Sequence, residues 1–450
     1  MSRKKISVTA PLGERPLAFQ VVLEFEKTRE RLDSVEQRWL EFDPSARPRQ
    51  VRRLVRGAIR HRMLLDWQIG RLYKGKHQME KKTKLWLRLA LFDLSDERDE
   101  APRRVNGWVQ DTRDVLGERA VRLVNAMLRG YLREEDKLDP ARIGDTVERL
   151  AISYSFPRWM VSHYLETWGE DFTEEILINL NRTPQPVLRH NPRKMDRQHF
   201  ERELEALGIP YRRSALSTRH FKVDSIRKIE EAEGFDAGFC SVQDESASVP
   251  VRLLDLKAGD RFLDVCAAPG GKFTQALEEQ PDLKIAVAVD NDLNRLRTVR
   301  GNMKRLGVEG FLVAADARAL PFRKSFNKIL ADVPCSAQGI IRKHPDIKWR
   351  RSRNEMEAFA TLQREILQSA WEHLEDDGRL VYSTCSIDPM ENEAVVEGFK
   401  EARLIKPPER VIPELFHSGE GYIRTFPQQG PDGSFAALME KRAGETADGS

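Results

Sequence analysis

The sequence predicts an all-α domain, then a small α/β module, then a larger doubly wound α/β domain. Apolar residues recur at helical spacing from about residue 14 to about 140, and prolines with short alternating segments follow to about 240. Strand–turn–helix repeats run from there to about 440. The expected parts are 1–140, 141–240 and 241–441, with 442–450 a disordered tail. With 450 residues, each part is long enough to bury a core of its own.

In the first part, "RPLAFQVVLEFEK" sets Leu17, Val21 and Phe25 at four-residue steps along one helical stripe. "QVRRLVRGAIRHRMLLDWQIGRLY" and "KTKLWLRLALFDL" repeat the stripe with arginines opposite, and "RAVRLVNAMLRGYLRE" closes the region. Residues 1–150 hold 33 Lys and Arg against 24 Asp and Glu, whereas the remainder holds 42 against 47. A basic front half suits a polyanion, with nucleic acid the leading candidate; a solvated set of helices is the other reading. No apolar run reaches the 18 or more residues that span a bilayer, and the basic start lacks the apolar core of a secretory signal. Four dispersed cysteines form no CxxC pair, so the expectation is a reducing cytoplasm, no disulfide frame and no metal.

"REEDKLDPARIGD" reads as a charged connector, and "SFPRWMVSHYLETWG" as a further helical piece broken by the prolines of "LNRTPQPVLRHNPRK". A short strand, the helix of "HFERELEALGI" and the strand-like "FKVDS" complete the small module.

The third part opens on "RFLDVCAAPGGKFTQAL", a short buried strand, a turn of small residues and a helix start. Gly270 and Gly271 let backbone approach a ligand, and the helix N-terminus offers free N–H groups. "KIAVAVDND" is a second strand ending in Asp290, where an acid can bind ribose hydroxyls. "FLVAADAR" ends in Asp316 and "KILADVP" in Asp332, which lines the acids along the carboxyl edge of one sheet. The turn lacks GxGxxG, which argues against NAD and its pyrophosphate. A nucleoside without phosphates fits better, and S-adenosylmethionine is such a ligand.

Cys335 leaves the strand that carries Asp332, and Cys385 leaves another, Leu380 to Ser383, at the same edge. A buried cysteine is ordinarily a small hydrophobe, but two of them beside a cofactor pocket point to chemistry. Methylation of carbon-5 of cytosine needs such thiols: one adds to carbon-6 and makes carbon-5 nucleophilic, and a second can assist release. An acid beside the ring would hold N3 and N4 as charge develops.

The helix order of the front region, above all "VNAMLRGYL", resembles the NusB-like RNA-binding domain. "DVCAAPGGK", "DVPCSAQGIIRKHPDIKW" and "YSTCSIDPMENE" resemble the signature segments of the NOL1/NOP2/Sun family of RNA cytosine carbon-5 methyltransferases over roughly 241–440. The resemblance implies a NusB-like helical domain, a small α/β RNA-binding module and a class I, Rossmann-like, S-adenosylmethionine-dependent methyltransferase domain. It implies RNA as partner, small-subunit (16S) ribosomal RNA first and tRNA as the alternative, with the protein acting as a cytoplasmic monomer.

By that resemblance Cys385 is the nucleophile and Cys335 the cysteine that promotes release, while Asp332 and Lys272 contact the base. Cys266, Ala267, Ala268, Pro269, Gly270, Gly271 and Lys272, with Asp290, Asp316 and Asp332, would hold S-adenosylmethionine. Cys266 is expected to act through its backbone or by packing, and Cys240 to be structural. "LRHNPRK" departs from the family's Arg-Val-Asn phrase. Arg342, Lys343 and His344 could meet phosphates or neighbouring bases, and Trp349 could stack on a base or pack in a core. Two rivals are an amino-group methyltransferase, which would show polar-Pro-Pro-aromatic where this chain has Val-Pro-Cys-Ser, and a non-catalytic ribosome-assembly or antitermination factor.

Overall fold

The computed structural model describes residues 12–96, 100–134, 137–231, 234–407, 412–418 and 421–442; from residue 443 the expected tail lies outside them. The chain forms two compact units, Met1–Asn181 with His344–Arg350, and Arg182–Lys343 with Arg351–Ser450.

The first unit is helical: α1 (Glu14–Thr28), α2 (Leu32–Phe42), α3 (Pro48–Arg60), α4 (Arg62–Leu72), α5 (Lys81–Asp96), α6 (Ala101–Leu116), α7 (Glu118–Arg133), α8 (Thr146–Ser153), α9 (Arg158–Trp168) and α10 (Glu170–Asn181). The stripe Leu17, Val21, Phe25 is buried as its spacing requires. Trp86 and Trp108 meet edge to face at 4.7 Å, and their indole N–H groups donate to Thr112 Oγ1 (2.8 Å) and Asp93 Oδ2 (2.9 Å).

The run from Gln50 to Tyr73, which reads as continuous, breaks into two helices at His61. Side chains satisfy the backbone there. Met63 N–H donates to Ser155 Oγ (2.7 Å), and the Ile59 and Arg60 carbonyls accept from Trp349 Nε1 (2.8 Å) and Lys348 Nζ (3.1 Å). Burial presses the His61 imidazole down to about 3, so it is neutral. Trp349 therefore packs with the helical core, beneath the Arg62 guanidinium, rather than standing ready for a base.

The candidates for phosphate or base contacts are all engaged with carboxylates. His344 pairs with Asp33 (3.0 Å), Arg342 with Asp432 (2.6 Å), and Lys343 with Asp244 (2.7 Å) and Asp432 (2.5 Å). The arginines of α3 are similarly engaged, Arg53 with Asp93 and Asp96, Arg56 with Asp33 and Glu36.

The second unit begins with a four-stranded antiparallel sheet, order β2-β3-β1-β4. Its strands are β1 (Val187–His190), β2 (Tyr211–Arg213), β3 (His220–Val223) and β4 (Cys240–Val242), with α11 (Arg197–Ala206) between the first two. Next come β5 (Arg261–Asp264), α12 (Gly271–Glu279), β6 (Ile285–Asp290), α13 (Leu293–Leu306), β7 (Phe311–Ala314), β8 (Phe326–Asp332), α14 (Arg353–Glu372) and β9 (Leu374–Thr384). Strands β9-β8-β5-β6-β7 are parallel, and β12 (Ser434–Glu440) extends the sheet antiparallel to β9, flanked by β10 (Arg403–Ile405) and β11 (Ile423–Thr425). This is a Rossmann-like methyltransferase fold with a mixed edge; the antiparallel strands were not expected from the sequence.

"LRHNPRK", read as a departure, holds the small sheet to the larger one. Arg189 is fully buried, and its guanidinium reaches Glu278 Oε1 (2.7 Å), Gln243 Oε1 (2.5 Å), Thr274 Oγ1 (3.1 Å) and the Gly271 carbonyl (2.6 Å). Asn191 Nδ2 donates to the carbonyls of Gly238 and Leu306 (both 3.0 Å). Arg189→Ala should cost about 3 kcal/mol in chemical unfolding, the low end for a broken buried pair because Arg219 still reaches Glu278. Arg189→Lys should recover only part of it, since an ammonium cannot span the guanidinium's partners.

Candidate active site

The turn after β5 is built by backbone economy. Ala267 N–H donates to Val289 O (2.9 Å) and Gly270 N–H to Ala267 O (2.7 Å). Gly270 has φ +98°, and a Cβ there would lie 3.0 Å from Val299 Cγ1, so only glycine makes this turn. Gly271 opens α12, and Arg189 holds its carbonyl.

The acids at the strand ends differ in their surroundings. Asp290 braces the turn: its carboxylate accepts from Ala268 N–H (3.3 Å) and Asp292 N–H (3.0 Å) and pairs with Arg295 (3.2 Å). Arg295 also donates to the Ala268 carbonyl (2.6 Å). Asp316 lies just beyond β7, is exposed, and is held by Arg318, whose hydrogen bonds lower its carboxyl below the usual range. Asp332 ends β8 and meets Lys272 Nζ at 2.7 Å and Ser383 Oγ at 2.7 Å.

Sequence reasoning missed Asp264, although it stands inside the quoted "DVCAAPGGK". Its Oδ1 accepts from Cys266 N–H (3.3 Å), and its Oδ2 is buried without a partner. Burial, then the nearby Asp332 charge, push this carboxyl up to about 8. Burial likewise pushes the Cys266 thiol well up, in keeping with a backbone or packing role. An orphaned acid oxygen beside further carboxylates, under a glycine turn, suits a ligand that brings cationic or N–H groups. S-adenosylmethionine fits on both counts.

The cysteines come together through sheet register. Asp332 pairs with Ser383 across parallel β8 and β9, Val333 N–H donates to Ser383 O (3.1 Å), and three residues on from Asp332 the chain reaches Cys335. Cys335 Sγ lies 3.3 Å from Cys385 Sγ. Cys335 is buried, and the hydrogen bond with Cys385, then burial, hold its thiol well above the ordinary range; Cys385 is partly exposed. Burial would lower the Lys272 ammonium, but Asp332 and then Cys385 outweigh it and keep it raised. Cys240 packs in the small module's core, where burial lifts its thiol to about 12. Among the described residues no His, Cys, Asp and Glu cluster could hold a metal, and no helix is long and apolar enough to cross a membrane.

Residues 251–440 match the family described as 16S rRNA methyltransferase RsmB/F, 156–230 its ferredoxin-like domain, and 13–133 the NusB family. The chain is 36% identical over 345 residues to the ribosomal RNA small subunit methyltransferase B of Vibrio cholerae serotype O1, covering 75% of this chain and 77% of that one. The Erwinia tasmaniensis protein of the same name is 32% identical over 406 residues, 87% and 90% of the two chains. A solved methyltransferase homolog protein from Pyrococcus horikoshii superposes with TM-score 0.58 at 25% identity, covering 66% of this chain and all of that one.

An acid raised in the fold binds its proton more tightly there than in the unfolded chain. Asp264 therefore takes stability away as pH climbs from about 4 towards 8, and adds no further loss above that. Asp264→Asn should stabilise the ligand-free protein, by an increment that grows between pH 4 and 8 in urea unfolding and then levels off.

Proposed function

Because the chain belongs to the 16S rRNA methyltransferase RsmB/F family, we propose that its paired thiols carry out covalent methylation of cytosine carbon-5 in small-subunit ribosomal RNA. The enzyme is an S-adenosylmethionine-dependent RNA methyltransferase. One observation supports the covalent route above the others: two thiols 3.3 Å apart, at the ends of adjacent parallel strands, beside the Lys272–Asp332 pair. S-adenosylmethionine supplies the methyl group, and Asp264, Asp290 and the turn Cys266–Lys272 are the residues to hold it, with Asp316 free to join only by leaving Arg318.

Cys385, partly exposed, adds as thiolate to cytosine carbon-6, so that the ring's electrons become available at carbon-5. Asp332 faces the base's N3 and N4, and Lys272 steadies charge on Asp332 and near Cys385. After methyl transfer the carbon-5 proton passes to water, its bonding pair reforms the carbon-5–carbon-6 double bond, and the carbon-6–sulfur bond breaks with Cys385 departing as thiolate. Cys335, kept as a thiol, promotes that last stage. A target cytosine must be unstacked or single-stranded to present carbon-6. We read the protein as a monomer acting in the cytoplasm. An amino-group methyltransferase would have no use for the thiol pair, and a vestigial domain would have no reason to keep it in contact.

Mixed with target RNA and S-adenosylmethionine, Cys335→Ala should accumulate a protein–RNA adduct that survives a denaturing gel. Cys385→Ala should form no adduct and no 5-methylcytosine; methylation by that variant would overturn the assignment.

A further inference from the structure

Two thiols in contact raise a question that the reaction alone does not answer: what makes one the nucleophile and keeps the other a thiol? A buried carboxylate lies behind both. Glu391 has no solvent exposure. Its Oε1 accepts from Ser336 N–H (2.7 Å) and Gln363 Nε2 (3.1 Å), and its Oε2 from the hydroxyls of Ser336 and Ser386, the latter at 2.6 Å. Ser336 follows Cys335 and Ser386 follows Cys385. One side chain therefore grips both cysteine turns at the same relative position.

The groups around Glu391 favour its ionised form. The Ser336 hydroxyl accepts from Gln338 Nε2 (3.2 Å) and the Ser386 hydroxyl from Asp388 N–H (3.1 Å); the two hydroxyls also lie 3.2 Å from each other, and each can turn its proton to Glu391. Gln363 Nε2 also donates to the Pro334 carbonyl (2.9 Å), so its amide presents N–H to the carboxylate. Two N–H groups that can only donate meet Oε1, and two hydroxyls able to donate meet Oε2, surroundings that suit a carboxylate. Burial pushes the Glu391 carboxyl above its ordinary range and outweighs the Ser336 and Ser386 hydrogen bonds, which pull the other way.

The two cysteines then face opposite charges. Cys335 feels the Glu391 anion, whereas Cys385 faces the Lys272 ammonium. Negative charge on sulfur is repelled from the first and drawn to the second. The turn after Cys335 is also locked onto Cys385, since Gly339 N–H donates to the Cys385 carbonyl (2.9 Å). A Cβ on Gly339 would lie 2.0 Å from Gly433 O, so the approach admits only glycine.

We infer that Glu391 is the positioning residue that tells the two thiols apart, fixing both cysteine turns through their following serines and confining the nucleophilic role to Cys385. The inference rests on the covalent reading above. The test is site-resolved alkylation by iodoacetamide at pH 8 in the full-length protein without RNA, read by peptide mass spectrometry. In wild type Cys385 should react at least about tenfold faster than Cys335. Glu391→Gln, which keeps the shape and removes the charge, should narrow that ratio by about tenfold, and kcat should fall with KM for RNA little changed.

Glu391→Asp, which keeps the charge, should retain the wild-type ratio. Folded Glu391→Gln with an unchanged ratio would overturn the proposal. If Glu391→Gln does not fold, equal labelling of the two cysteines in wild type or Glu391→Asp would overturn it instead. Failure of the Cys335→Ala adduct trap would sink the catalytic roles, whereas alkylation without RNA reads the thiol pair alone, so the two failures are separable.

Discussion

The site depends on one register. Parallel pairing of β8 with β9 sets Asp332 opposite Ser383, and everything chemical follows from the strands ending side by side. Asp332 receives Ser383 Oγ on one oxygen and Lys272 on the other, which joins the cysteine strands to the cofactor turn. A slip of one residue would turn Asp332 into the sheet's other face and separate the sulfurs. The register is held by apolar residues that cannot leave the core, among them Ile329, Leu330, Leu380 and Val381, all fully buried.

Around that register the fold tolerates buried charge where a stability-driven design would avoid it. Asp264 is buried with an unpartnered oxygen, Glu391 is buried among four donors, and Arg189 is buried against Glu278. The three are not equivalent. Arg189, whose Nε alone lacks a partner, and Glu391 are held by protein groups and give rigidity, one to the start of α12, the other to both cysteine turns. Asp264 is left unsatisfied, which raises its proton affinity and reserves it for a ligand.

Much of this was legible in the sequence because its signals are local. The four parallel strands that end near acids announce themselves by apolar runs cut short, and glycine at 270 is forced by a left-handed turn. The helices of the front region follow from their stripe spacing. What escaped is long-range pairing. Arg342, Lys343 and His344 look like a phosphate-binding run, yet each finds a carboxylate distant in sequence, Asp432, Asp244 or Asp33. The break at His61 is set by Lys348 and Trp349, nearly three hundred residues on, which no window around the helix contains. Glu391 and Asp264 stood in quoted motifs without a role, because a carboxylate's task is decided by which donors surround it.

The central claim is that Cys385, and not its neighbour in contact, attacks the base. RNA containing 5-fluorocytidine tests it in the unaltered enzyme, because fluorine at carbon-5 cannot leave as a proton and the adduct cannot resolve. Incubation with S-adenosylmethionine, nuclease digestion and peptide mass spectrometry should place a methylated fluoropyrimidine on the peptide that contains Cys385. Its appearance on Cys335, or methylated RNA with no protein adduct, would contradict the account.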